Sequence, residues 1–162
     1  MKVIGVDPGL AITGYSIMEK VGASYRICDA GIIKNSPTLS LPTRLHAIHR
    51  ELKRLIELHG VQAVALETPF LGKNAQNFLK LGYIRGVIYL LVHEYNLSLF
   101  EYSPTQVKVS VTGFGGASKE QVARVITRFF PQIAMPTTFD LTDAIAISLC
   151  AVWQTPNVIK FR

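Results

Sequence analysis

A chain of 162 residues, 49% hydrophobic and 17% charged, has enough apolar material for a packed core and too little charge for a disordered protein. At this length one compact unit is expected to account for residues 1–162. Lys and Arg number 17 against 11 Asp and Glu, a formal net charge of +6 that favours a polyanionic partner without naming one.

The positive excess is uneven: between Thr68 and Phe139 stand seven basic residues and three acids. Cys28 and Cys150 lie far apart and outside any Cys-x-x-Cys pair, which argues against a disulfide framework or zinc site. His46, His49, His59 and His93 lack the i, i+4 pairing of a helical zinc motif. No signal peptide precedes the first strand, and no apolar run approaches the roughly 20 residues that span a bilayer. The expectation is a cytoplasmic protein without membrane contact.

In chain order, Lys2 to Asp7 reads as a buried strand that ends on a carboxylate, followed by the turn-forming Pro8-Gly9. Gly14 to Glu19 and Tyr25 to Ile33 are two more strands, and connections this short imply antiparallel neighbours. After the loop Asn35 to Ser40, the spacing of Leu45, Ile48, Leu52, Leu55 and Ile56 predicts one helix face, stopped by Gly60. Val61 to Leu66 suits an interior strand, and it too ends on an acid, Glu67. A helix from about Asn74 to Tyr95 and a strand from Leu97 to Tyr102 follow. Ser103-Pro104 has helix-start chemistry, Gly113-Phe114-Gly115-Gly116 separates that helix from the next, and Ser118 with Gln121 forms a capping box. A last helix runs from about Phe139 to Trp153. The order implies an α/β fold with a mixed sheet.

Acids placed on buried or half-buried backbone carry the functional signal. Asp7 and Glu67 terminate strands, and in open α/β sheets functional groups gather beyond the carboxyl ends of strands. Asp140 and Asp143, three apart, share one helical face. Each has a plain alternative: Asp7 as a turn former, Glu67 as a strand end open to water, Asp140 as a partner of the helix dipole. Asp143 is harder to explain that way, because Ala144 to Ile147 around it read as buried. Two carboxylates about 4 Å apart repel by roughly 4 kcal/mol at an effective dielectric of 20, so a cluster of all four needs cations. Oxygen ligands without His or Cys indicate a hard ion, Mg²⁺ with Mn²⁺ as a substitute.

The opening Ile4-Gly5-Val6-Asp7-Pro8-Gly9-Leu10 with Thr13-Gly14-Tyr15 resembles the signature of the RuvC family of Holliday-junction resolvases. Glu67 with Phe70, Lys73, Asn74 and the stretch Leu81-Gly82 to Arg85-Gly86 is similar to a second family block. Gln106-Val107-Lys108 with Gly113, Gly115, Ala117, Lys119 and Gln121-Val122 is similar to a third, and Asp140 with Asp143-Ala144-Ile145-Ala146 to a fourth. The strand-acid-glycine opening alone also fits sugar kinases and actin-like ATPases, but these need a second domain for which the chain is too short. A junction-binding protein with a dead site and a ribonuclease of the same fold remain open.

The resemblance implies a ribonuclease H-like fold with a mixed five-stranded sheet flanked by helices. It implies an endonuclease that resolves four-way DNA junctions in recombination and repair by paired nicks, with two metal ions per subunit held by Asp7, Glu67, Asp140 and Asp143. Lys119 then stands near the scissile phosphate, and Lys108 on phosphate. Phe70, a candidate for stacking on an unpaired base, joins Lys73, Asn74, Lys80 and Arg85 as expected DNA contacts. Two cuts imply a homodimer, for which Gly82 and Gly86 offer a helix face. Docking of a branch-migration motor complex is implied by the family.

Overall fold

The computed structural model describes residues 1–69, 75–134 and 138–153. Its elements follow the predicted order. Strand β1 (Lys2–Asp7) is succeeded by β2 (Ile12–Val21) and β3 (Ser24–Lys34), then helix α1 (Leu41–His59), β4 (Ala63–Glu67), α2 (Ala75–Glu94), β5 (Ser98–Tyr102), α3 (Pro104–Thr112), α4 (Lys119–Phe129) and α5 (Asp140–Trp153). Helix ends obey local chemistry. Ser40 caps α1 by accepting from the Thr43 N–H, and Gly60, in the left-handed region at φ 61°, closes it by donating its N–H to the Ile56 carbonyl. Ser103 with Gln106 and Ser118 with Gln121 form complete capping boxes on α3 and α4.

The β2–β3 hairpin is longer than the periodicity predicts. Val21 pairs with Ser24 around a two-residue Gly22-Ala23 turn, so pairing continues to the tip although Lys20 and Val21 no longer bury a face.

The five strands lie in the order β3-β2-β1-β4-β5. β1, β2 and β3 are antiparallel neighbours, whereas β4 is parallel to both β1 and β5. Alternating side chains feed two cores. Val3, Ala63, Ala65 and Phe100 face α3, α4 and α5; Ile4, Val6, Val64, Leu66 and Leu99 face α1 and α2. The result is a sheet sandwiched between two helical layers, the mixed five-stranded ribonuclease H-like arrangement. Among the described residues no helix is long and apolar enough to cross a membrane.

Two strand glycines set the height of α5 above the sheet. A Cβ on Gly5 would stand 2.5 Å from the Ser148 backbone nitrogen, and one on Gly14 would overlap the Asp140 carbonyl oxygen. The bare backbone lets α5 settle onto β1 and β2, where Ser148 Oγ donates to Ser16 Oγ at 3.2 Å inside the buried contact. Gly14→Ala is therefore expected to lift the N-terminal turn of α5 and cost about 1–3 kcal/mol, measured as a lowered urea midpoint at unchanged slope.

Candidate functional site

Parallel pairing of β1 with β4 places Val6 opposite Leu66, so the next residues of the two strands, Asp7 and Glu67, leave the sheet side by side at the same edge. The loop beyond Asp7 is held by Thr13. This buried residue donates its hydroxyl to the Gly9 carbonyl at 2.7 Å and accepts the Gly9 N–H at 3.4 Å. Asp143 is in the first turn of α5, its N–H donating to the Phe139 carbonyl at 2.7 Å. Because Gly5 and Gly14 admit that helix so closely, Asp143 overhangs the strand end.

Asp7, Glu67 and Asp143 line one cavity of about 170 Å³ together with Lys108 and Lys119, over a floor that includes Val107, Val122 and Ala146. The Lys119 ammonium donates to Asp143 Oδ2 at 2.5 Å. Burial, more than any other cause, pushes the Asp7 carboxyl up to about 7; the charges of Asp143, Glu67 and Asp140 add to the rise and Lys119 opposes it. Burial followed by the Asp143 charge raises Glu67, against Lys119 and Lys108. Asp143 is raised by burial too, with the Lys119 hydrogen bond pulling the other way. For Lys119, burial alone would lower the ammonium, but the hydrogen bond to Asp143 and the three acids together outweigh it and raise it. Three acids thus face two ammonium groups in the cavity, and burial together with mutual repulsion outweighs the lysines. Among the described residues no three acid, His or Cys side chains already stand at metal-ligating separation.

Asp140 stands outside the cavity lining, at the first position of α5, where its charge still raises both Asp7 and Asp143. On the far side of Asp7 and Glu67 a smaller hollow of about 90 Å³ is lined by these two acids, Pro8, Thr68, Pro69, Leu81 and Arg85. Leu81 also borders a third hollow of about 290 Å³, where Lys80 stands with Gly9, Leu10, Asn77 and Ile84. The three hollows share residues in sequence and run from Lys108 and Lys119, across the acids, to Lys80. Phe70, Lys73 and Asn74 lie outside the described residues.

Arg85 requires a correction. Expected as a DNA contact, it is buried at 7% exposure, and its guanidinium is committed within the fold. It donates to the Glu67 carbonyl at 2.8 Å and the Tyr89 hydroxyl at 2.6 Å, and pairs with Glu101. Counting charges along the chain cannot see that pairing, because Glu101 sits on a different element. The one sequence signal is a lone acid between Phe100 and Tyr102 in β5.

A family model described as crossover junction endodeoxyribonuclease RuvC matches residues 3–151. The chain belongs to the RuvC family. It is similar to the RuvC of Pelodictyon phaeoclathratiforme, with 44% identity over 150 residues that cover 93% of this chain and 78% of the relative. The RuvC of Caldicellulosiruptor saccharolyticus is 38% identical over 160 residues, covering 98% and 96% of the two chains. Among solved structures, T. thermophilus RuvC in complex with Holliday junction substrate superposes with a TM-score of 0.88 at 28% identity, covering 98% of this chain and 99% of that one. The resemblance to the RuvC family is thereby borne out, and with it the fold class.

Proposed function

We propose that this RuvC-family chain binds four-way DNA junctions and resolves them by hydrolysing two symmetrically placed phosphodiesters, in recombination and repair. The observation that carries this is the convergence of Asp7, Glu67 and Asp143, from three separate elements, on one cavity with Lys108 and Lys119. A phosphodiester needs positive charge to approach such a cluster, and the lysines supply part of it.

The acids fit hard divalent ions. The cavity's acidic groups offer only carboxylate oxygens, and the charges of Asp143, Glu67 and Asp140 add to the rise that burial imposes on the Asp7 carboxyl, a cost that a bound cation would relieve. Asp7, Glu67 and Asp143 would hold two Mg²⁺ ions, replaceable by Mn²⁺, with Asp140 contributing from the edge. When bound, such ions make water a better nucleophile and stabilise the leaving 3′ oxygen. The protein's own groups do the rest. The acids fix the ion positions against a rigid strand edge, Lys108 draws in a phosphate, and Lys119 offsets charge developing on the phosphoryl oxygens. Lys119→Gln is expected to slow cleavage by about 10²-fold at saturating junction, with binding in Ca²⁺ changed far less, as single-turnover kinetics and filter binding would show.

Two cuts need two sites, and α2 offers the surface for a second copy. Leu79, Gly82, Tyr83, Gly86 and Leu90 follow helical spacing on one stripe, and Leu79, Tyr83 and Leu90 are 55%, 39% and 60% exposed. A Cβ at Gly82 or Gly86 would meet nothing within 4 Å, so these glycines serve no contact inside the described chain. We read the stripe as the face that joins a two-fold homodimer.

The test is incubation with a mobile four-way DNA junction, a linear duplex and a single-stranded RNA, each with and without Mg²⁺. Paired nicks of matching polarity in the junction, with ligatable ends, are expected. Cleavage of the RNA alone, or junction binding with no Mg²⁺-dependent nick, would overturn the reading.

A further inference from the structure

Strand β4 ends in an unusual place. Its pairing with β1 closes at Val6 opposite Leu66, so Glu67 lies one residue beyond the ladder on that side. A carboxylate at the frayed end of a strand would ordinarily swing with its backbone. Here the backbone is held from two directions. On the β5 side the Thr68 N–H donates to the Tyr102 carbonyl at 2.7 Å, with the Thr68 hydroxyl on the same oxygen at 3.3 Å. From α2, the buried Arg85 guanidinium donates to the carbonyl of Glu67 itself at 2.8 Å.

Arg85 is in turn over-determined. Its second amino group pairs with Glu101, which sits opposite Leu66 in the β4–β5 register, and donates to the Tyr89 hydroxyl at 2.6 Å. That hydroxyl donates on to Glu101 at 2.9 Å, and the guanidinium carbon stands 5.4 Å from the centre of the Tyr89 ring. A planar fork held by the Glu101 carboxylate and by the hydroxyl and ring of Tyr89 has little freedom, so the Glu67 carbonyl is fixed relative to α2. An ion pair of this kind, with the cation buried and the carboxylate half-buried, contributes little net stability compared with apolar packing, which leaves geometry as its natural use.

We propose that Arg85, oriented by Glu101 and Tyr89, is a positioning residue that sets where the Glu67 carboxylate stands at the site. The inference rests on the reading of Glu67 as a metal-holding acid. It makes α2, whose outer face carries the exposed stripe, part of the frame that positions the site.

The test compares Arg85→Lys and Glu67→Gln, singly and combined, with Mn²⁺ affinity read by calorimetry and cleavage read on a four-way junction. Lysine keeps a cation near Glu101 but lacks the fork that reaches the carbonyl at the same time. Arg85→Lys is expected to weaken Mn²⁺ affinity and lower kcat by about 10-fold to 100-fold, with KM for the junction nearly unchanged. In the Glu67→Gln background the same substitution should leave Mn²⁺ affinity where Glu67→Gln alone put it, because the group it positions is gone. An equal loss in both backgrounds, or parental affinity in Arg85→Lys, overturns the proposal while leaving the nuclease reading intact. Parental Mn²⁺ affinity and cleavage in Glu67→Gln alone would instead take Glu67 out of the metal-holding set, and this inference with it, whereas a parent that makes no metal-dependent cut in the junction would remove the nuclease reading. If Arg85→Lys is too unstable to purify, Glu101→Gln carries the comparison: it keeps the shape, weakens the hold on Arg85, and should shift Mn²⁺ affinity the same way by a smaller factor.

Discussion

Asp7→Asn is expected to reduce junction cleavage by about 10³-fold or more, a loss of roughly 4 kcal/mol of transition-state stabilisation, while binding to the junction persists. The same substitution should stabilise the metal-free protein at neutral pH. In the folded chain the Asp7 carboxyl is raised from 3.8 to about 7, so between those values the native state keeps a proton that the unfolded chain has released. Stability of the metal-free protein therefore falls as pH rises through that window, and the loss is complete above it. A rise of about three units corresponds to at most about 4 kcal/mol, which the uncharged amide removes. Urea denaturation of both proteins in chelator should show Asp7→Asn the more stable at pH 8, with the difference vanishing below pH 4. The reverse order at pH 8 would mean that Asp7 is satisfied within the fold and has no need of a cation.

Gly86→Glu should split the proposed homodimer without harming the fold. Gly86 is exposed on α2, a side chain there meets nothing within 4 Å, and replacing a helical glycine raises helix propensity by about 1 kcal/mol at most. A carboxylate on the stripe between Tyr83 and Leu90 would instead be buried unpaired against a second copy. Sedimentation is expected to move from about twice 17.9 kDa to the mass of a single chain. Cleavage should fall by about 10²-fold, with the remaining nicks unpaired, since the second cut is then no longer made within one complex. A variant that still sediments as a dimer and nicks in pairs would place the interface elsewhere.

Much of this was legible in the sequence because it is written in local patterns. Apolar runs with terminal acids mark β1 and β4, helical spacing marks α1, Ser103-Pro104 marks the start of α3, and Ser118 with Gln121 marks that of α4. The convergence of Asp7 and Glu67 needed the adjacency of β1 and β4, which is a long-range pairing; the RuvC-like blocks supplied it where periodicity does not. Gly5 and Gly14 stand in the opening motif, yet their work, admitting α5 so that Asp143 reaches the strand end, depends on a helix that begins more than a hundred residues later. Asp143 could be singled out because it interrupts a buried run, whereas Asp140 proved to lie beside the cavity. Arg85 was misread for a reason of the same kind. A basic residue in a basic stretch looks solvent-facing until its acidic partner, distant in sequence, is brought to it by the fold.

The central claim, that Asp7, Glu67 and Asp143 act as one ion-binding group, is tested most directly by calorimetric titration of Mn²⁺ into the protein and into Asp7→Asn, Glu67→Gln and Asp143→Asn. Each substitution is expected to weaken binding by at least about 10-fold, since each removes one anionic ligand from the shared set. Binding unchanged in any one of the three would take that acid out of the set and contradict the account.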